Sequence, residues 1–265
     1  MQIVPAPTAP RASVTRSLHR AAGLLRLLST HTQIGWRLSD LAKHSDLDPA
    51  TVHRLLAGLG DERLVTRVPG TRHYTLGPLA YELGIAAQPY FDLDRHVRRT
   101  LAAMAQELRG TLFLKIRSGV DSVCVARHDG SGTFSALMLD VGGRRPLCLT
   151  AGGVAMLMGL PRAEQKEIEL HNLRTIARQD EARCNGVRQM LRRSRQLGFG
   201  VNLGYIVPGI SAISVPILSK EQTPVASLSL ALAAVTLSPA RARALALRLR
   251  GEAAGMEPLL ARLRF

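Results

Sequence analysis

Apolar positions in the first third of the chain recur at helical spacing and predict three helices followed by two short strands. The first two helices are predicted over Arg16–Leu28 and Leu38–His44. The third begins at Pro49 and carries one apolar stripe at the spacing i, i+3, i+4 and i+7. That stripe consists of Val52, Leu55, Leu56 and Leu59. Leu64–Val68 and His73–Leu76 are predicted strands, with Gly- and Pro-containing turn chemistry between them.

The start of the third helix is marked by two residues. Asp48 can accept backbone N–H bonds as a helix cap, and Pro49 suits the first helical position, where no N–H partner is needed. Ser45-Asp46 provides the turn from the second helix. Helix, turn, capped helix and two-stranded wing, in this order, predict a winged helix-turn-helix DNA-binding domain over residues 14–77.

Six side chains of this domain are candidate DNA contacts. In a helix-turn-helix, the start of the second helix of the motif reaches base edges and phosphates. The candidates are Thr51, His53 and Arg54 from that helix, and Arg67, Arg72 and His73 from the wing. Two other interpretations remain open from the residues alone: a small helical domain with a basic solvated surface, or a protein-docking module.

The pattern changes after Gly77-Pro78. A linker helix is predicted within residues 78–91, and an amphipathic helix follows over Leu93–Leu108. Alternating and short apolar runs then predict strands over Thr111–Arg117, Asp121–Arg127, Phe134–Asp140, Phe199–Leu203, Ile210–Leu218 and Val225–Ala233. Helical spacing returns in Gly153–Leu160, Arg162–His171 and Asn185–Leu197, and in a last helix from Ser238-Pro239. Strands before and after a helical insertion predict an α+β domain with an antiparallel sheet over residues 92–265.

Charge and composition narrow the function classes. The formal net charge is +15, with 10 basic and 5 acidic side chains in residues 1–80 and 25 and 15 in the rest. Such an excess favours polyanionic partners, although its even spread does not by itself identify DNA. The three cysteines have no metal-ligand spacing, so buried thiols in a reducing cytoplasm are expected. Residues 1–13 are predicted to be a disordered tail, and the chain lacks the run of about 18 apolar residues of a membrane helix.

Signals of catalysis are weak throughout the sequence. The serines occur without a Gly-x-Ser-x-Gly elbow, and the histidines show no paired metal spacing. P-loop and dinucleotide fingerprints are missing as well. We therefore expect neither an enzyme nor a bound cofactor or metal.

Several different motifs follow one another in a recognisable order from Val14 to the C-terminus. Thr51–Leu56 is followed by a wing that ends in Tyr74–Pro78. The later motifs are Arg145–Leu147 leading into Thr150–Gly153, then Gly198–Asn202, Val207–Ile210 and Ser214–Pro216. Together they resemble the IclR family of bacterial transcription regulators. The resemblance implies a GAF-like effector domain, and dimers through the N-terminal part that often pair into tetramers through the C-terminal part.

The resemblance also implies a cavity for a small organic acid or aromatic compound. Its predicted wall consists of Phe134, Leu137, Ala151, Gly152, Asn202, Ile210, Ala212, Ser229 and Ala231. Free backbone N–H groups at the Gly-rich helix start would suit a carboxylate. The residues alone leave simpler interpretations open: Gly152-Gly153 as a tight turn, Asn202 as a partner of backbone groups at a strand end, and Ser227 and Ser229 facing solvent.

This chain departs from the common family pattern at positions around the cavity. Leu203–Ile206 contains no acid, and Ser211-Ala212 stands where an Arg-Cys pair is frequent. Cys148 and Val154 replace a common histidine and lysine. These departures predict a more apolar pocket without those ionisable groups, which favours an aromatic or otherwise apolar acid over a very small polar one.

The leading hypothesis is a ligand-responsive DNA-binding regulator, repressor or activator, of a catabolic operon. Its partners would be double-stranded operator DNA, a small carboxylate or aromatic effector, and its own copies in a homodimer or homotetramer. The alternative is a small-acid-binding enzyme or carrier with a helix-turn-helix docking module.

Overall fold

The computed structural model describes residues 14–30, 34–91, 95–131, 139–233 and 237–260. The described helices are α1 Val14–Leu28, α2 Leu38–Ser45, α3 Pro49–Asp61, α4 Pro78–Phe91, α5 Arg95–Leu108, α6 Ala151–Met158, α7 Arg162–Gln179, α8 Glu181–Leu197 and α9 Pro239–Leu260. The strands are β1 Trp36–Arg37, β2 Val65–Arg67, β3 His73–Leu76, β4 Thr111–Ser118, β5 Asp121–Asp129, β6 Arg144–Pro146, β7 Gly200–Leu203, β8 Ile210–Leu218 and β9 Pro224–Ala233. The predicted tail over residues 1–13 and the predicted wall residues Phe134 and Leu137 lie outside the described residues.

The chain divides into two compact units, residues 1–86 and residues 87–265. The described part of the first unit contains α1, α2, α3 and most of α4, together with a three-stranded antiparallel sheet in the order β1-β3-β2. Its core joins α1, α2 and α3 through Leu24, Leu41 and Leu56, with Trp36 from the sheet. The predicted winged helix-turn-helix is therefore the observed fold of this unit.

The apolar stripe of α3 is the reason for its orientation. Val52, Leu56 and Leu59 are buried against the core, and Leu55 is half-buried. The helix starts where predicted, because the Asp48 Oδ1 accepts a hydrogen bond from the Thr51 N–H at 2.8 Å. This orientation leaves the opposite face of α3 to solvent.

The second unit is built on a six-stranded sheet in the order β6-β5-β4-β9-β8-β7, and every pairing is antiparallel. Helices α5 and α9 cover one face, and α6 covers the other, with α7 and α8 behind it. The α+β fold class predicted from the sequence is confirmed.

Side chains of β4 alternate between the two covered faces. Leu112, Leu114 and Ile116 enter the core beneath α5 and α9. Phe113 and Lys115 lie on the α6 face instead. A register shift with β5 falls between Leu114 and Lys115.

The interpretation of Ser227 and Ser229 as solvent-facing is wrong. Both lie on the α6 face of β9 and are 0% and 3% exposed. Helices cover both faces of this sheet, so polar side chains that alternate along a strand are buried as well.

The structure lengthens several predicted helices and adds short strands. Asp180 begins α8 four residues earlier than expected, by accepting the Arg183 N–H at 3.2 Å. The strands β1 and β6 were not predicted, because two or three residues are too few to display a period. The three cysteines are buried and unpaired. Across the part of the chain that the structure describes, no helix is long and apolar enough to cross a membrane.

Candidate functional site

A basic cleft lies between α3 and the wing of the first unit. Its polar lining consists of Arg37, Ser39, His53, Arg67, Thr71, Arg72, His73 and Tyr74, and among the described lining residues none is acidic. Four of the six predicted DNA contacts therefore come together: His53, Arg67, Arg72 and His73. Arg54 is exposed on α3 and Thr51 is half-buried, but neither lines this cleft.

The wing is held in shape by its own turn. The Thr71 hydroxyl donates to the Val68 carbonyl at 2.9 Å and accepts from the His73 N–H at 3.1 Å. Gly70 has φ +70°, a conformation that most residues avoid. Arg67 lies over the Tyr74 ring, with its guanidinium carbon 5.2 Å from the ring centroid. These contacts hold the turn of the wing and the Arg67 side chain without neutralising the charge of that arginine.

Arg37 is a cleft residue that sequence reasoning missed. It lies in β1 and pairs with His73 of β3. Its only signal was a basic side chain next to the buried Trp36, which is too weak to indicate a strand.

The second unit contains a cavity of about 250 Å³ between α6 and the sheet. Seven of the nine predicted wall residues line it: Ala151, Gly152, Asn202, Ile210, Ala212, Ser229 and Ala231. Its further apolar lining is Phe113, Leu139, Leu149, Ile206 and Val207. Small side chains at Ala151, Ala212 and Ala231 leave room for a ligand between the helix and the strands.

Three cations also belong to the described lining of this cavity, at positions other than those where the family pattern has ionisable groups. They are Lys115 from β4, Arg145 from β6 and Arg183 from α8. The described lining contains no aspartate or glutamate. The departures at Cys148 and Val154 suggested a loss of ionisable groups, but strands and helices distant in sequence supply others.

Lys115 is the most buried of these cations, with 5% of its surface exposed. Within the described residues it makes no hydrogen bond or ion pair, and its nearest aromatic partner is Phe113, 5.6 Å from Nζ to ring centroid. Burial lowers the pKa of Lys115 to about 8, and the charge of Arg145 acts in the same direction. A lysine inside an otherwise apolar stretch of strand was the signal that could have found it.

Arg145 is half-buried, and its Nη1 donates to the Arg144 carbonyl at 2.9 Å. Burial lowers the pKa of Arg145, and the neighbouring charge of Arg183 lowers it further. Arg183 is exposed and pairs with Asp180, with 3.5 Å between Nε and Oδ2. The cationic lining thus extends from a buried lysine to an exposed arginine.

The start of α6 has fewer free donors than the sequence suggested. The Thr150 hydroxyl accepts the Gly153 N–H at 3.0 Å, which leaves at most the N–H groups of Ala151 and Gly152 for a ligand. A Cβ at Gly152 would lie 2.7 Å from the hydroxyls of both Ser227 and Ser229. Close packing of α6 on the sheet therefore requires glycine here, whether or not a ligand binds.

Asn202 and Ser229 are partly committed to the protein itself. The Asn202 Oδ1 accepts from the Tyr205 N–H at 2.9 Å, as the strand-end interpretation proposed, and leaves its amide N–H₂ for other partners. The Ser214 hydroxyl donates to the Leu228 carbonyl at 2.9 Å, so in the 2.8 Å contact between the two serines Ser229 is the donor. In this arrangement Ser229 has no proton to offer a carboxylate.

A winged helix-turn-helix in one unit and a cavity-bearing α+β fold in the other define a class of two-domain transcription regulators. The family model described as bacterial transcriptional regulator IclR C-terminal matches residues 87–256, and that of the IclR helix-turn-helix domain matches residues 17–69. The chain belongs to the IclR family of DNA-binding transcriptional regulators, as its motifs suggested. Members of this family are regulators and not enzymes.

Individual relatives agree over most of the chain. The probable transcriptional regulator SauR of Cupriavidus necator is 25% identical over 72% of this chain and 76% of its own length. XynR, an HTH-type transcriptional regulator of Escherichia coli, is 24% identical over 82% of this chain and 85% of its own length.

Solved structures show the same fold. A putative IclR regulator from Silicibacter sp. TM1040 superposes with a TM-score of 0.70 at 21% identity, covering 92% of this chain and 96% of its own. An IclR homologue from Microbacterium hydrocarbonoxydans, solved with 4-hydroxybenzoate, has a TM-score of 0.54 at 20% identity. The match covers 94% of this chain and 99% of the homologue.

Proposed function

We propose that this regulator controls a catabolic operon by binding a small organic or aromatic acid, which changes its affinity for operator DNA. The observation that carries the effector class is the cavity of the second unit, where the charged residues of the described lining are three cations. An anion is the ligand that such a lining stabilises most. The 4-hydroxybenzoate bound by the Microbacterium homologue is an acid of this kind.

We assign one role to each of three consecutive segments of the chain. Residues 14–77 bind the operator, residues 78–91 link the parts, and residues 92–265 bind the effector. Operators with repeated half-sites require at least a dimer, so we propose a homodimer or homotetramer. Regulation then depends on a difference in effector affinity between DNA-competent and DNA-incompetent arrangements.

Arg54→Ala is expected to weaken operator binding without unfolding the protein. Arg54 is exposed, so its truncation opens no cavity in the core. A direct base contact is worth about 1–3 kcal/mol, which corresponds to a roughly 5- to 150-fold increase in Kd. Titration of the upstream region of the gene by electrophoretic mobility shift measures it. Arg243→Ala, an exposed arginine on α9, removes the same charge and serves as the control. Unchanged affinity in folded Arg54→Ala protein would remove this residue from the interface.

Ala212→Leu is expected to abolish the response to effector while leaving operator binding intact. Gly152→Leu is unsuitable for this test, because even a Cβ at Gly152 collides with the sheet. Ala212 lines the cavity and is half-buried, so a larger side chain can grow into the ligand space. The measurement is release or capture of operator DNA on addition of benzoate and related acids. Ala244→Leu, an exposed position on α9, is the matched control. A normal acid response in Ala212→Leu would place the effector elsewhere.

A further inference from the structure

Lys115 of β4 places a buried cation in the cavity of the second unit. It belongs to the cavity lining, although only 5% of its surface is exposed. Its Nζ lies 5.6 Å from the centroid of the Phe113 ring, which also lines the cavity. A Cβ built at Gly152 would lie 3.3 Å from the Lys115 Cδ. The lysine side chain therefore passes close to the start of α6, on the face of the sheet that bears the cavity.

No described residue neutralises this ammonium. It has no hydrogen-bond or ion-pair partner among the described residues. The described neighbour whose charge would favour that of Lys115 is Cys124, its register partner in β5. Burial raises the pKa of the Cys124 thiol to about 11, so the thiol is neutral at pH 7. Residues 132–138, which include the predicted wall positions Phe134 and Leu137 outside the described residues, contain no aspartate or glutamate.

A buried ammonium of this kind is a group that an anion can satisfy. Desolvation disfavours the charge of Lys115 and lowers its pKa to about 8, which still leaves the side chain mostly charged at pH 7. A carboxylate beside the ammonium would form an ion-paired hydrogen bond, and this attraction is stronger in a desolvated cavity than at the surface. A neutral ligand of the same shape would leave the buried charge uncompensated.

The two arginines of the described lining are more exposed than Lys115. Arg183 is exposed and already pairs with Asp180, with 3.5 Å between Nε and Oδ2. Arg145 is half-buried. Because solvent screens an exposed ion pair, a carboxylate gains most from the cation that is most buried.

We propose that Lys115 is the residue by which the cavity selects an acid, through an ion pair between its ammonium and one carboxylate of the effector. This inference rests on the proposed function of the cavity as the effector site, and it adds the residue that recognises the carboxylate. A single carboxylate is sufficient, and the apolar part of the effector contacts lining residues such as Phe113 and Ala212.

Calorimetric titration of the full-length protein with acids and their amides at pH 7 tests the proposal. The pairs are benzoate with benzamide, 4-hydroxybenzoate with 4-hydroxybenzamide, and hexanoate with hexanamide, and the two members of each pair share a carbon skeleton and differ in charge. We expect at least one acid to bind wild type roughly tenfold or more tightly than its amide, because a hydrogen bond between two charged groups is the stronger one.

In Lys115→Met the ratio of acid to amide affinity should fall to about threefold or less. Lys115→Gln is a second variant in which the ratio should fall, because a neutral side chain that can still donate a hydrogen bond does not replace the charge. Lys166→Met removes an exposed lysine of α7 and should keep the wild-type ratio. Damage to the fold weakens acid and amide alike, so the ratio reports the lysine charge even in a less stable variant.

The outcomes separate this inference from the proposed function. If folded Lys115→Met and Lys115→Gln keep the wild-type preference for the acid, the carboxylate binds at the arginines or at the start of α6. In that case the inference fails while acid binding stands. If acids and amides bind wild type equally tightly, or if none of them binds, the inference and the proposed acid effector are both overturned.

Discussion

Lys115→Met is expected to stabilise the ligand-free protein at neutral pH, and the gain is expected to disappear as the pH rises. Burial lowers the pKa of Lys115 from 10.5 to about 8, so the folded protein carries the charge at a cost that the unfolded chain does not have. That pKa difference corresponds to a free energy on the order of 3 kcal/mol. Methionine keeps an unbranched apolar side chain only one atom shorter than lysine and removes the charge, so it recovers this free energy.

The sign of the pH dependence follows from proton counting. Between about pH 8 and pH 10.5 the unfolded wild-type chain binds more protons than the folded protein, so the wild-type free energy of unfolding rises across this window. Below pH 8 the full cost is present, and above pH 10.5 it vanishes. Denaturant unfolding of wild type and Lys115→Met at intervals from pH 7 to pH 10.5 measures the difference.

A suitable control is Lys166→Met, because Lys166 is exposed on α7. This surface substitution should change the free energy of unfolding by no more than about 0.5 kcal/mol. A Lys115→Met protein that is less stable than wild type by the same amount at every pH would show that the lysine charge is already compensated.

Gly153→Ala is expected to destabilise the protein by about 3 kcal/mol or more, the upper range for an overpacked core. An added Cβ at Gly153 would overlap the carbonyl oxygen of Leu147. That carbonyl cannot easily retreat, because Leu147 is fully buried and its N–H donates to the Val120 carbonyl at 3.1 Å. Thermal and denaturant unfolding measure the loss.

The comparison for this substitution is Gly251→Ala in α9. A Cβ at Gly251 meets nothing within 4 Å, and alanine favours the helix by up to about 1 kcal/mol over glycine. The two glycine-to-alanine changes should therefore shift stability in opposite directions. Equal stability of Gly153→Ala and wild type would mean that α6 can move away from the turn that precedes it.

The sequence predicted the elements of the first unit well because each carries a local signal. The apolar stripe of α3 and the Asp48-Pro49 start are both contained within a single helix, and the turn residues of the wing lie between its two strands. Periodicity also identified the long strands of the second unit. The strand β1 has only two residues and forms through its partner Tyr74 in β3, so no local pattern could reveal it.

The candidate cavity was predicted in part. Resemblance to the family located the small residues of its wall, such as Ala151 and Ala212, which the structure places around one space. The sequence did not reveal the cations of the cavity, because only the tertiary fold brings them together. Lys115, Arg145 and Arg183 come from three separate elements. The alternation of side chains along β4 predicts that Lys115 and Leu114 lie on opposite faces of the sheet. Because helices cover both faces, the alternation does not predict which face contains the cavity.

The position of Lys115 within the sheet has an evolutionary consequence. The backbone hydrogen bonds that pair β4 with β5 and β9 do not depend on the side chain at position 115. A single codon change there can therefore remove a charge from the cavity while the fold that presents it is inherited intact. Paralogues of this regulator could diverge in the acids they sense through such one-residue steps, and reporter strains for new acids can be sought by mutating this one position.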